Sequence, residues 1–319
     1  PAGGREGGIA DQAEGEQHVA GDEHGKEGAE IVAEIMQAIF DPLVQRVYDH
    51  GGFVSSFAGD GFTALFPGTR TQIMGLTAAA RMRKHIIEHS TRTTPFGVLH
   101  FAIKIGMAEG DVDWGIIGGG EQTLHACYFG GKAIEECAKA ERRAGINELV
   151  VNEPVMERLK SMVGFISQDG YWRVTDIYTP LPPPKPASQP DRPSDLTAAF
   201  VPGTVLRKDV RGEYRQVLTL FVKLREVRTW EQLNAIGQEV FDLQRRYGGY
   251  LSTIDVDDMG CRLLLFWGMP VGFENDLECA LNFVLDLSAR TGAALKAGAT
   301  YQLAYAGFVG RAGLREGFT

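Results

Sequence analysis

Residues 51–68 read GGFVSSFAGDGFTALFPG. Asp60 stands between Gly59 and Gly61, and apolar runs flank it from Phe53 to Phe57 and from Phe62 to Phe66. That spacing predicts a β-hairpin with the acid at its tip. A carboxylate in that place serves one of two chemistries. It caps its own turn, or it is an oxygen ligand for a hard divalent cation. The flanking glycines suit both, since they allow a tight turn and a close approach by an ion.

Other residues of catalytic type offer less. His85 and His89 stand four apart, but His85-Ile-Ile-Glu-His89 has no third ligand and lies among basic residues, so a helix surface is expected. No G-K-[ST] follows Gly118-Gly119-Gly120, which excludes a phosphate loop. Cys127, Cys137, Cys261 and Cys279 form no C-x-x-C pair and read as reduced core residues of a cytosolic protein.

The elements around Asp60 follow from periodicity. Ile31, Val32, Ile35, Ile39, Phe40, Leu43, Val44 and Val47 mark one helical face, which Pro42 is expected to kink and Gly51-Gly52 to end. A helix is predicted from about Thr71 to Glu88, then strands in HFAIKIGMAEGDVDWGIIGGG, then a helix from about Ala133 to Arg143. ELVVNEPV and GYWRVTDIY add strands, so the class is α+β. Residues 1–26 are rich in Gly, Glu and Ala and cannot bury a core; they are expected to be disordered or aberrant. PLPPPKPASQPDRP predicts an extended proline-rich linker within 180–200.

The 319 residues suffice for two domains, and the formal net charge of -9 argues against nucleic acid and anionic membrane as general partners. No apolar stretch approaches the ~20 residues of a spanning helix, and no signal-peptide core is evident.

The second half repeats the first. TWEQLNAIGQEVFDLQRRYGG is again a helix ending in two glycines, LSTIDVDDMGCRLLLFWGMP is again a hairpin, and NDLECALNFVLDLSA is again a helix. Gly106, Gly115 and Gly118 match Gly298, Gly307 and Gly310 at a constant offset of 192. Such a pattern indicates an internal duplication.

Taken in order, helix, GG, strand, F-A-G-D, strand A-L-F-P, helix, IKIGMAEGDV and GIIGG resemble the catalytic domain of the class III nucleotidyl cyclases. The tandem arrangement looks most like bacterial relatives of soluble, bicarbonate-responsive adenylyl cyclase. The fold implied is two tandem ferredoxin-like cyclase domains forming a pseudo-heterodimer by intramolecular pairing, both incomplete. The expected boundaries are 27–179 for the first, lacking its first strand, and 201–319 for the second, truncated at its C-terminus.

The resemblance implies the chemistry. Two aspartates hold two Mg2+ or Mn2+ ions, and ATP, with GTP as the alternative, becomes a 3',5'-cyclic nucleotide and pyrophosphate. Asp60 matches the metal aspartate of the hairpin, and Phe57, Ala58 and Gly59 match its nucleotide-binding stretch. Asp11, in GGIADQAEG, stands near the separation expected for the other metal aspartate, without the strand or the G-F-T turn that belongs there. In the second domain Lys223 occupies the first aspartate's place, and STIDVDDMG carries Asp255, Asp257 and Asp258 in a longer turn that reads as a solvated acidic tip. Thr253 occupies the place of a base-contacting lysine, and Thr319 matches a threonine near the adenine. Glu135 and Lys139 stand at the positions of a transition-state asparagine and arginine. Lys104 and Lys132 are candidate anion contacts at a degenerate second site for bicarbonate or another small anion.

Two functions of different class follow. One is an adenylate cyclase catalytic region, cytoplasmic, with a further C-terminal domain and little activity in the chain as it stands. The other is a degenerate cyclase pair that senses a nucleotide or anion. A diguanylate cyclase would need a G-G-[DE]-E-F hairpin in place of F-A-G-D-G-F.

Overall fold

A computed structural model describes residues 31, 34–58, 60–95, 97–118, 124–184, 199–200, 213–227, 229–257, 260–292, 294–306, 308–309 and 317–318. Residues 1–26 and most of the 180–200 segment lie outside them. The chain divides into two compact units, Pro1–Asp111 with Lys132–Ser188, and Val112–Gly131 with Gln189–Thr319. Residues 112–131, which the expected boundaries put inside 27–179, cluster with the second half of the chain.

Unit 1 opens with helix α1 (34–48), which runs through Pro42. Its buried apolar face is Ile35, Phe40, Leu43, Val44 and Val47, as the helical spacing predicts. Gly51, at φ 78, follows it. Strands β1 (Phe53–Ala58) and β2 (Gly61–Leu65) then pair antiparallel, with Ala58↔Gly61 the last rung and a bulge between Val54 and Ser56. Helix α2 (Thr71–Glu88) is followed by hairpin β3 (Thr91–Thr94) and β4 (Gly97–His100), then β5 (Ile105–Met107). After β6 (Asp113–Gly118) and β7 (His125–Gly130), which belong to unit 2, come α3 (Lys132–Arg143), β8 (Leu149–Val151), α4 (Glu153–Leu159), β9 (Val163–Gln168) and β10 (Tyr171–Ile177).

The sheet order is β5-β8-β10-β9, with β5 parallel to β8. All three residues of β8 are buried, which is why LVV is uniformly apolar rather than alternating. Leu149 and Val151 pack with Leu76, Met82, Val155 and Leu159, from α2 and α4. Val150 faces the other way, onto Ala140, Ala144 and Tyr171. Asn152 caps α4 by accepting from the Val155 amide, and its side-chain amide also exchanges hydrogen bonds at 3.2 Å with the backbone N and O of Glu109. It thereby ties the loop after β5 to the start of α4.

Unit 2 contains β11 (Glu213–Leu224), α5 (Trp230–Tyr247), β12 (Tyr250–Asp257), β13 (Gly260–Trp267), α6 (Asp276–Thr291) and β14 (Leu295–Ala306), with short strands β15 (Phe308–Val309) and β16 (Gly317–Phe318). Thr229 and Gln232 form a capping box at the start of α5. The sheet is antiparallel, ordered β12-β13-β11-β14. Along β11, Leu218, Leu220, Val222 and Leu224 enter the core shared with α5 and α6, while Thr219, Phe221 and Lys223 take the opposite face.

The β6–β7 hairpin completes this core. Ile117 is fully buried, and it sits where a β-carbon on Gly237 of α5 would have to be. Gly115 leaves room in the same way for Trp230 and Tyr128, whose rings stack at 5.4 Å. Burying a side chain such as Ile117 is worth about 1.5–3 kcal/mol.

The hairpins β1–β2 and β12–β13 share their irregularities. The β12 bulge lies between Leu251 and Thr253, each 197 positions after its counterpart in β1, Val54 and Ser56. A β-carbon on Gly52 would strike the Phe66 ring, and one on Gly249 the Trp267 ring, each at 2.6 Å. Among the described residues the two differ in surroundings: β1–β2 is a sheet of two strands, whereas β12–β13 is joined through β11 to β14.

Candidate nucleotide and metal site

Asp60 is exposed in the two-residue turn beyond the Ala58↔Gly61 rung. The bulge and ladder fix the strands, so the acid is held out at the tip. The Phe57 ring, half-buried, packs with Phe40 and Phe62 at centroid distances of 5.9 Å. Of Ala58 only the backbone is described, and Asp11, Gly59 and Thr319 lie outside the described residues.

Among the described residues no group of three or more His, Cys, Asp and Glu could hold a metal ion. Asp60 alone still suits magnesium, which takes one or two protein carboxylates and completes its shell with water and substrate phosphate. Soft or nitrogen-seeking metals do not suit it.

The histidine pair is not a cation site. The Arg46 guanidinium approaches His85 Nδ1 at 3.3 Å, and the His85 and His89 rings lie 4.4 Å apart. Burial first, then the charges of Arg46 and His89, push the His85 pKa down.

On α3, Lys139 is engaged by Glu136 at 2.9 Å, and Glu136 also accepts from the Tyr171 hydroxyl at 2.8 Å. The Lys139 hydrogen bond, then that of Tyr171, hold the Glu136 carboxyl below the usual carboxylate range. Arg143 covers the Tyr171 ring at 4.3 Å. Lys139 is thus tied into a local network, while Glu135 is half-buried and Lys104 and Lys132 are exposed.

Thr253 belongs to unit 2. It sits at the β12 bulge, half-exposed, opposite Leu264. Lys223 is directly opposite Arg262 on one side and Lys296 on the other, and Arg262 is opposite Asp255. Arg262 and Lys296 carry no motif of their own; only the strand register brings them beside Lys223.

Cys261 is fully buried and the Cys137 thiol donates to the Gly106 carbonyl at 3.3 Å. Cys127 corrects the expectation of four core cysteines: it is exposed, because the inward position of alternating β7 goes to Tyr128. Among the described residues no helix is long and apolar enough to cross a membrane.

No family model matches the chain. Adenylate cyclase type 10 of the rabbit Oryctolagus cuniculus is 26% identical over 128 residues, 39% of this chain and 8% of that protein. The Mus musculus protein of the same description is 25% identical over 126 residues, again 39% and 8%. The chain therefore matches only a small part of the length of these relatives. Among solved structures, the guanylyl cyclase Cya2 has a TM-score of 0.42 at 19% identity, covering 51% of this chain and 91% of that one. The curated relatives bear out the resemblance to class III nucleotidyl cyclases.

Proposed function

We propose that this chain is the catalytic region of a class III adenylate cyclase, making 3',5'-cyclic AMP and pyrophosphate from ATP. The observation that carries the reading is the β1–β2 hairpin, which holds out Asp60 on a bulged ladder whose counterpart in unit 2 lacks the F-A-G-D turn. One copy keeps the acid, and the other has been rebuilt around it. The similarity to adenylate cyclase type 10 supports ATP as the substrate, with GTP as the alternative.

Asp60 is the residue assigned to bind magnesium or manganese. Divalent ions bound there would lower the pKa of the ribose 3'-hydroxyl and offset the triphosphate charge. The 3'-oxygen forms its bond to the α-phosphorus as the bond from that phosphorus to the bridging oxygen breaks. Pyrophosphate leaves, and the hydroxyl proton passes to solvent. Asp60 supplies a fixed oxygen at an exposed turn that a charged substrate can reach. The reading includes pairing of the two halves within one chain, a cytoplasmic setting and a bicarbonate-like regulator.

The test is conversion of ATP to cyclic AMP with magnesium or manganese, read by mass spectrometry. It is run on this chain and on its Asp60→Ala variant. The rate of product formation is expected to fall about 10²–10³ on Asp60→Ala. The 319-residue chain is expected to turn over little, since among the described residues no strand joins β1–β2 to the β5 sheet. Folded protein with no product in any form would favour the second reading, a nucleotide- or anion-sensing pair. That reading is supported by the cations in register on the unit 2 sheet.

A further inference from the structure

The unit 2 sheet has one face packed under α5 and α6 and one face that carries charge. On the second face, one row crosses four strands: Asp255, Arg262, Lys223 and Lys296. Arg262 and Lys296 are exposed and Lys223 is half-exposed. Like charges directly opposite each other in a sheet repel, and Lys223 has a cation opposite it on both sides. Asp255 offsets the row at the Arg262 end only. Among the described residues no carboxylate pairs with Lys223 or Lys296. Strand spacing makes the three cations span roughly 10 Å.

The next row on this face is apolar. Phe221, two residues before Lys223, is 56% exposed. Leu264 lies opposite it on one side and Gly298 on the other, and a β-carbon on Gly298 would meet nothing within 4 Å. An aromatic ring with open floor beside it thus stands roughly 7 Å from the cation row.

We infer that this face binds a nucleoside triphosphate without a divalent ion, its phosphates along Arg262, Lys223 and Lys296 and its base on Phe221. The lysine ammonium groups supply the positive charge that a metal supplies elsewhere, and each has three donors for phosphate oxygens. Phe221 takes the planar base by stacking. A polyanion in this place also relieves the repulsion within the row. The assignment does not depend on catalysis at Asp60.

The experiment is ATP binding to the whole chain in excess EDTA, by calorimetry, with tripolyphosphate and adenosine as separate probes. ATP is expected to bind, and the double variant Lys223→Gln/Lys296→Gln to weaken it about tenfold or more. Phe221→Ala should weaken ATP while leaving tripolyphosphate unchanged. Without ligand, the lysine double variant should melt at or above the parent temperature, because repulsion has been removed. Unchanged ATP affinity in that variant overturns the inference, as does the absence of ATP binding by folded protein. Equal loss of ATP and tripolyphosphate in Phe221→Ala overturns the placement of the base. Because no divalent ion is present and Asp60 is untouched, failure here leaves the cyclase assignment standing.

Discussion

Gly106 of β5 and Cys137 of α3 are packed backbone to backbone. The Cys137 thiol donates to the Gly106 carbonyl oxygen at 3.3 Å, and a β-carbon on Gly106 would collide with the Cys137 carbonyl oxygen and lie 2.9 Å from Glu141 Cα. The absence of a side chain at Gly106 sets how closely α3 can approach the sheet.

Gly106→Ala is therefore expected to destabilise the protein by roughly 1–3 kcal/mol, since helix and strand must separate. The matching glycine 192 positions later, Gly298, has nothing within 4 Å of its β-carbon position. Gly298→Ala should stay within about 0.5 kcal/mol of the parent. Urea unfolding of the two variants makes the comparison, and equal losses would refute the packing account.

Gly237→Ala sets two effects against each other. Alanine favours a helix interior by about 1 kcal/mol, but its β-carbon would overlap Ile117 Cγ2. Ile117 is fully buried, so the overlap is expected to win and to loosen residues 112–131 toward proteolysis. Ile117→Ala made together with Gly237→Ala should restore part of the loss, giving a coupling energy of about 0.5–3 kcal/mol in a double-mutant cycle. Strict additivity would show that the two residues do not meet.

Thiol chemistry should separate the cysteines. Burial pushes the Cys137 thiol up to about 11, with Glu141 adding to it, and Cys261 is fully buried. Alkylation of native protein at neutral pH should reach exposed Cys127 and leave Cys137 and Cys261 unmodified until the chain unfolds. Peptide mapping by mass spectrometry checks this, and early labelling of Cys137 would contradict it.

His85 gives a pH dependence with a defined sign. Burial, then Arg46, lower its pKa in the folded protein, so the unfolded chain binds the proton more readily. The stability that its neutral form contributes is present above the ordinary histidine value of about 6.5 and falls as pH drops through it toward the lower folded pKa. Replacing His85 with Asn should flatten the loss that sets in as pH falls below about 6.5. An unchanged slope in thermal melts across that range would rule the effect out.

Much of the framework is legible locally. The F-A-G-D hairpin and the amphipathic helix before Gly51-Gly52 are signals within short windows of sequence, and the glycines at offset 192 are found by comparing the two halves. Turn chemistry and periodicity act over a few residues, so Asp60 can be placed at a tip without knowing what packs near it. The exposure of Cys127 is not legible in this way, because its strand is short and either alternation phase fits the apolar run; Tyr128 takes the buried position once the hairpin meets α5.

What the sequence alone determined is most of the helices and hairpins, and which carboxylate a turn holds out; it did not find α4, because ELVVNEPV reads as one strand whereas Asn152 ends the strand and caps a helix from Glu153. Tertiary structure decided that residues 112–131 cluster with the second half of the chain, and that Arg262, Lys223 and Lys296 stand in one row. The physical reason is distance along the chain. Register between strands is set by burial of the whole opposite face, Leu218 to Leu224 against α5 and α6, and no local window contains that constraint.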